Sequence, residues 1–455
     1  MNNGIKHFVP IFVWLSRLIT GVVFVLSGIL KGIDPWGTIY IFEEYFSALD
    51  IVSWDSLTLV GVFFLSSLEF VIGIFLITGS FRRSAPVVAF LIMCLMLPLT
   101  LWIAIKDPIE SCGCFGEAFH ISNWATFWKN IILTGLIIFL IIKNKKSPCV
   151  ISPYLQWINL VLSVFFIVLI EFIGYSYQPL IDFRDFPVGS SIVSQNNEDN
   201  FTDISDDEPR FLFKYRKGDE IKTFTENDEL PDEDQGWEFI SREEINPESP
   251  SKIDESGKNL RIYGKENNDD LTGEELTDEG KLIIIFSPEV SKVSPSSIWK
   301  INFIHHWALE NKIKMIAIVS GSPEDIDEWE DISKNDYPIY LADDTVIKQI
   351  VRGNPGIVFV ENGVIIWKTS LKSLDIKNLE EESDDVLSNG QVNNQTNEIK
   401  PIIENNNRLF LNICFLYVIL IGVLIGVSFM FSLKKEKRNG SIKQENKNNG
   451  PVTES

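Results

Sequence analysis

Residues 57–78 read LTLVGVFFLSSLEFVIGIFLIT, an apolar run interrupted by one carboxylate, Glu69. About 20 such residues in a helix, each rising 1.5 Å, cross the hydrocarbon core of a bilayer. Comparable runs recur at 8–30, 86–105, 124–142, 154–174 and 409–431. The expected fold class is therefore membrane α-helical with six spans. The fourth is the weakest, because Lys129 and Asn130 lie inside it. The first is long, carries Arg17 internally and has no A-x-A-like cleavage site after it, so it is expected to stay as an uncleaved anchor rather than act as a signal peptide.

Charge orients these spans. Arg82 and Arg83 follow the second, Lys143, Lys145 and Lys146 the fourth, and Lys434, Lys435, Lys437 and Arg438 the last. Basic residues gather on the cytoplasmic side of membrane proteins. Alternation then puts both termini in the cytoplasm and 31–56, 106–123 and 175–408 outside, where the acidic residues are. A formal net charge of −22 disfavours nucleic acid, whose binders present a basic face. Of the five cysteines, Cys94 and Cys414 fall inside spans and Cys149 on the cytoplasmic side. Only Cys112 and Cys114 face an oxidising compartment.

Gly113 between those two cysteines gives the backbone freedom that a tight ring requires. A Cys-x-Cys disulfide is strained, which raises its reduction potential and favours labile, regulatory or catalytic roles. Cys112 and Cys114 are thus the candidate redox pair, with a static clip shaping the loop as the alternative. No metal site is expected: the pair has only Glu110, Glu117 and His120 nearby, an incomplete tetrahedral set. Arg17 and Glu69 are two charges inside spans, each about nine residues from a cytoplasmic end, so equal depth predicts an intramembrane ion pair. The alternative has Arg17 snorkelling and Glu69 facing a polar seam. Lys31 and Asp34, closing the first span, are expected as interfacial anchors, with Lys31 also placed to assist a nearby thiol.

Residues 16–36, SRLITGVVFVLSGILKGIDPW, followed by EEYF (43–46), LEFVIG (68–73), LPLTLWIAI (97–105) and CGCFGEAFHISNWATFWKNIIL (112–133), resemble the DoxX/MauE family of bacterial redox-associated membrane proteins. The resemblance covers 8–142 and is most specific at Cys-Gly-Cys-Phe-Gly. It implies a four-helix subunit of the bacterial inner (cytoplasmic) membrane, linked to extracytoplasmic thiol or quinone-linked electron chemistry, and transfers a theme rather than a reaction.

Beyond the fifth span, 178–280 is acidic and irregular apart from a hairpin, FLFKYR–KGD–IKTF (211–224). From 281 the pattern alternates strand and helix: KLIIIF (281–286), a helix at 295–310, IKMIAIVS (313–320), a helix at 323–332, YPIY (337–340), a short helix at 343–351, then NPGIVFV and VIIWK joined through Glu361-Asn362-Gly363. This order resembles a thioredoxin fold, with Asn354-Pro355-Gly356 where that fold places its cis-proline loop. Its Cys-x-x-Cys is replaced by serines at 291 and 294, and no thiol occurs in 281–375. The module cannot cycle electrons and is expected to dock a partner, Pro355 lying at its peptide-facing edge.

The expected organisation is a DoxX/MauE-like four-helix module (1–146), a fifth span (147–177), an acidic region (178–280), a degenerate extracytoplasmic α/β thioredoxin-like domain (281–375), a flexible tether (376–408), a sixth span (409–433) and a disordered cytoplasmic tail (434–455). The expected role is that of an accessory without independent enzyme activity, acting on an unidentified extracytoplasmic client or redox partner. Quinone is the one cofactor class admitted, and the lipid membrane the other partner. A scaffold with a structural cysteine pair and a small-solute transporter using Glu69 are the alternatives; the absence of inverted repeats disfavours the latter.

Overall fold

The computed structural model describes residues 2–49, 55–107, 113–117, 121–143, 149–193, 211–217, 220–225, 238–244, 260–265, 269–276, 280–321, 323–334, 337–375, 400–401 and 407–448. Cys112, Glu110, His120 and the tether at 376–399 lie outside them, as does the Glu117 side chain.

Six helices are long and apolar enough to cross a membrane, at Pro10–Ile33, Ser56–Thr78, Ser84–Lys106, Asn123–Lys143, Pro153–Ser176 and Arg408–Phe431. They belong to α1 (Asn2–Ile33), α3 (Asp55–Thr78), α4 (Ser84–Lys106), α5 (Asn123–Lys143), α6 (Gln156–Ser176, with a 3-10 turn before it) and a last helix, Asn407–Asn448. Large apolar side chains such as Leu95, Phe165 and Phe415 are 70%, 67% and 68% exposed, as a lipid-facing surface requires. The inward faces pack one core around Phe24, Phe70, Met93, Leu133, Ile137, Phe166 and Ile170. Helices α1 and α3 approach closely enough for their backbones to touch: a Cβ added at Gly28 would stand 2.5 Å from the Phe70 nitrogen, and one at Gly73 would stand 2.7 Å from the Gly21 oxygen. Small residues permit that approach where no hydrophobic effect drives helices together. The last helix docks on α6 through Tyr417, whose ring stacks 4.2 Å from Phe166 and whose hydroxyl hydrogen-bonds Ser163 at 2.8 Å.

Three elements add to or depart from the reading of the sequence. The segment after the first span is a helix, α2 (Pro35–Ala48), with Asp34 as its N-cap accepting from the Gly37 N–H at 3.0 Å and proline in the first turn. The tail expected to be disordered continues the last helix to Asn448, its five lysines being good helix formers although Asn439 and Gly440 are not. The acidic region holds a third strand: β2 (Phe211–Lys217) pairs with both β3 (Glu220–Thr225) and β4 (Glu238–Glu244).

The C-terminal domain is a six-stranded sheet built from β5 (Tyr263–Gly264), β6 (Lys281–Ser287), β7 (Lys314–Val319), β8 (Ile339–Leu341), β9 (Gly356–Glu361) and β10 (Val364–Ser370), in the order β10-β9-β6-β7-β8-β5. Strands β6, β7 and β8 run parallel, while β9 and β10 form an antiparallel hairpin against β6. The continuous run LIIIF (282–286) is buried on both sides, as a central parallel strand must be. Ile283 and Ile285 pack under α8 (Pro295–Glu310) and α9 (Pro323–Ser333), whereas Leu282, Ile284 and Phe286 face α10 (Asp344–Ile350). That second face is also closed by Phe186, Ile192, Leu260, Ile262 and, on the short helix α7 (Thr272–Leu276), Leu276, so segments before 281 belong to this core. Gly189 and Ile192 donate backbone hydrogen bonds to Ile365 and Gly363, extending the sheet edge at β10.

Sheet domain and helix bundle are joined by buried charges. Arg352 forks onto Asp34, Nη2 lying 2.7 Å from Oδ2 and Nε 3.0 Å from each carboxylate oxygen, and also donates to the Lys348 carbonyl. Asp34, expected as an interfacial anchor, is thus an interdomain ligand. Next to it Arg184 grips Asp182 with Nε at 2.6 Å and donates to the Ile350 carbonyl at 3.1 Å, and Lys368 reaches the same Asp182 at 2.6 Å. Burial alone would raise Asp182, but Arg184 and Lys368 outweigh it and hold the carboxyl at about 2. The native state therefore binds the proton less readily than the unfolded chain, so Asp182 contributes stability above pH 4, about 2 kcal/mol, that is lost as pH falls from about 4 to about 2. Thermal unfolding followed across that window should show wild type losing stability more steeply than Asp182→Asn; equal slopes would contradict the assignment.

Candidate functional site

Within the bundle, Lys31 on α1 and Glu69 on α3 form an ion pair, Nζ to Oε2 2.6 Å, both side chains almost fully buried. Ser27, one turn before Lys31, takes a hydrogen bond from Nζ at 3.1 Å. Its own hydroxyl lies 2.8 Å from Glu69 Oε2 and 2.6 Å from the Cys114 carbonyl oxygen, so one proton serves two acceptors. Cys114 opens the short strand β1 (Cys114–Glu117) and roofs a cavity of about 40 Å³ bounded by Ser27, Lys31, Glu69, Met93, Met96 and Lys129. The space admits a few water molecules. Gly113 takes φ +64° with its Cα face against Ile41, where a Cβ would stand 2.8 Å from the Ile41 side chain. Only glycine occupies that position without strain. Cys114 packs with Ile41, Tyr45 and Ile103. Thus α2 carries the thiol loop on Ile41 and, on the adjacent Tyr40, the Arg352 guanidinium 5.4 Å from the ring centroid.

The expected Arg17–Glu69 pair does not form. Arg17 donates from Nε to the Leu76 carbonyl at 2.8 Å and from Nη2 to the Ile77 carbonyl at 3.2 Å, satisfying the open carbonyls at the C-terminus of α3. Counting residues from assumed span ends misplaced it. The glycine contacts set α1 against α3 with Gly28 beside Ser66 and Phe70, which brings Lys31, not Arg17, to Glu69. Lys31 is accordingly no surface anchor. A further carboxylate went unread: Glu171 on α6, 1% exposed, accepts from Ser66 and Ser67 of α3. Its signal was present in VLIEFIG (168–174), an acid inside an apolar run.

In the sheet domain the Asn354–Pro355 peptide is cis. Ser287, at the end of β6, hydrogen-bonds Asn354 Oδ1 at 2.7 Å, and the Asn354 amide donates to the Glu289 carbonyl. Pro355, expected at a peptide-facing edge, is buried, and its carbonyl accepts from Leu371 N–H at 3.1 Å. The exposed groups there are Glu289, Ser291, Lys292 and Ser294, with Trp299, 57% exposed, one turn into α8. Ser294 is the N-cap of α8 and accepts from the Ser297 N–H. Cys149 lies at the opposite end of the bundle from Cys114, its thiol donating to the Ile151 carbonyl at 2.8 Å. Among the described residues no three His, Cys, Asp or Glu side chains converge as a metal would need.

Fold and site define a multi-pass helical membrane protein with a buried ion pair beneath a cysteine loop. Residues 9–143 match the family model of the methylamine utilisation protein MauE, less than a third of the chain. Residues 210–246, the three-stranded sheet, match the model of a domain of unknown function, DUF8463. No curated protein and no solved structure matches the chain.

The ion pair is testable by a double-mutant cycle. Lys31→Met or Glu69→Leu alone strands a buried charge and should cost about 3–5 kcal/mol, while the double substitution should restore most of that loss. Thermal stability in detergent reads the cycle; additive losses would show that the two charges do not pair.

Proposed function

We propose that this chain is an accessory of extracytoplasmic thiol–disulfide or quinone-linked electron transfer in a bacterial inner membrane, with Cys112 and Cys114 as its redox pair and the sheet domain as a docking module. The observation that carries this reading is the hydrogen bond from Ser27 to the Cys114 carbonyl, which ties the loop to the Lys31–Glu69 pair. A loop that serves only as a connector has no need of a buried ion pair beneath it. Agreement with the MauE model over the same residues supports the assignment. Methylamine chemistry is not carried over, because the match stops at the four-helix module.

The order β10-β9-β6-β7 and the cis proline before β9 support a thioredoxin-like reading of the sheet domain. Serines stand where such a domain has its thiols, so its contribution is to hold a client. Trp299, stacked 5.9 Å from Phe303 on α8 and mostly exposed, offers the rigid aromatic surface that dominates protein interfaces. In the exchange step a thiolate of the pair attacks a client disulfide, forming a mixed disulfide and releasing the client's other sulfur as thiolate. The second cysteine then attacks the mixed disulfide, leaving the pair oxidised and the client reduced; the same steps in reverse oxidise client thiols and reduce the pair, the direction that a raised reduction potential favours.

Cys112→Ser should accumulate a mixed disulfide through Cys114, and Cys114→Ser one through Cys112, both visible on non-reducing gels of intact cells. Trp299→Ala should lower the amount trapped several-fold. Ser291→Ala with Ser294→Ala should leave trapping unchanged while costing about 1 kcal/mol of sheet-domain stability through the lost cap. No trapped species in either cysteine variant would contradict the redox role and favour a structural cysteine pair.

A further inference from the structure

Lys129 is a charge inside the fourth span. In the structure it lines the same cavity as Cys114, Lys31 and Glu69, two turns into α5. Its ammonium lies 4.3 Å from the centroid of the Phe115 ring, the residue next to Cys114. Lys31 is neutralised by Glu69 at 2.6 Å, whereas among the described residues no carboxylate pairs with Lys129. Among the described residues the charges lining the cavity thus sum to one positive in excess while Cys114 is a thiol, and to zero when it is a thiolate. In a partly buried, low-dielectric space a lone ammonium seeks an anion, and a thiolate there needs a cation to exist at all.

We propose that Lys129 is a positioning residue that stabilises the Cys114 thiolate, making Cys114 the nucleophile of the pair. On ionisation the Cys114 Sγ–H proton passes to water and the thiolate remains at the cavity that Lys129 also lines. The Phe115 face holds the Lys129 ammonium in place through its negative quadrupole. Lys31 does not share this task, because its charge is already taken by Glu69. This inference rests on the redox reading of Cys112 and Cys114, and its test does not depend on a client.

The full chain in detergent, with Cys112→Ser in all samples, is treated with iodoacetamide from pH 5 to 10, and Cys114 modification is followed by mass spectrometry. With Lys129 present, the midpoint of the rate profile should lie below the ordinary thiol value of about 8.5. Lys129→Gln should move it upward and slow alkylation at pH 7 by about tenfold, Lys129→Arg should restore it, and the remote Lys143→Gln should leave it unchanged. A midpoint at or above that of a free thiol in the Lys129 protein overturns the proposal even if Lys129→Gln fails to fold. So does an unmoved profile in Lys129→Gln; if mixed disulfides still form in that case, the redox reading stands and only the role of Lys129 falls. A shifted profile supports the proposal whether or not a client is trapped.

Discussion

An ammonium and a carboxylate 2.6 Å apart, Lys31 and Glu69, hold α1 and α3 in one register inside the bundle. Each charge would be costly there alone, and sliding either helix by a turn would part them. The glycine contacts that let the two backbones touch are compatible with that same register, so packing and electrostatics agree. Ser27 extends the pair to the Cys114 carbonyl, and the loop inherits a fixed position over the cavity. The chemistry proposed for Cys114 depends on this chain of contacts, because a wandering loop would find no constant electrostatic environment.

The second constraint is the junction at Asp34. A loop between membrane helices supplies a carboxylate to Arg352 of the sheet domain, which is almost wholly buried, and Asp182, Arg184 and Lys368 fill the space beside it. Helix α2 then has the thiol loop on Ile41 and the sheet domain on Tyr40. A client bound on the sheet domain would therefore be held by the same short helix that packs against Cys114. Such an arrangement suits the docking role proposed for the sheet domain.

Much of this was legible in the primary structure. Runs of apolar residues gave the six spans, and the alternation from KLIIIF onward gave the order of strands and helices, because both signals depend on local periodicity. Registration between helices does not. Arg17 and Glu69 seemed matched when counted from assumed span ends, yet the partner of Glu69 is decided by which glycines allow α1 and α3 to meet. The short carriers were also missed: α2 because it is a half-buried helix without a long apolar run, and β4 because its sequence EFISREE is mostly polar. Phe186, Ile192 and Leu260 belong to the sheet core although long acidic stretches separate them from it. Lys129 was visible as a charge in a span, but only folding brings it to Phe115 and Cys114.

The most direct measurement is the reduction potential of the Cys112–Cys114 pair in the full chain reconstituted in lipid, by equilibration against glutathione buffers and thiol counting by mass spectrometry. The account predicts a reversible transition well above the potential of structural disulfides, which lie below about −300 mV. A pair that stays oxidised throughout the glutathione range, with no exchange on the timescale of hours, would contradict it and leave Cys112 and Cys114 as a structural clip.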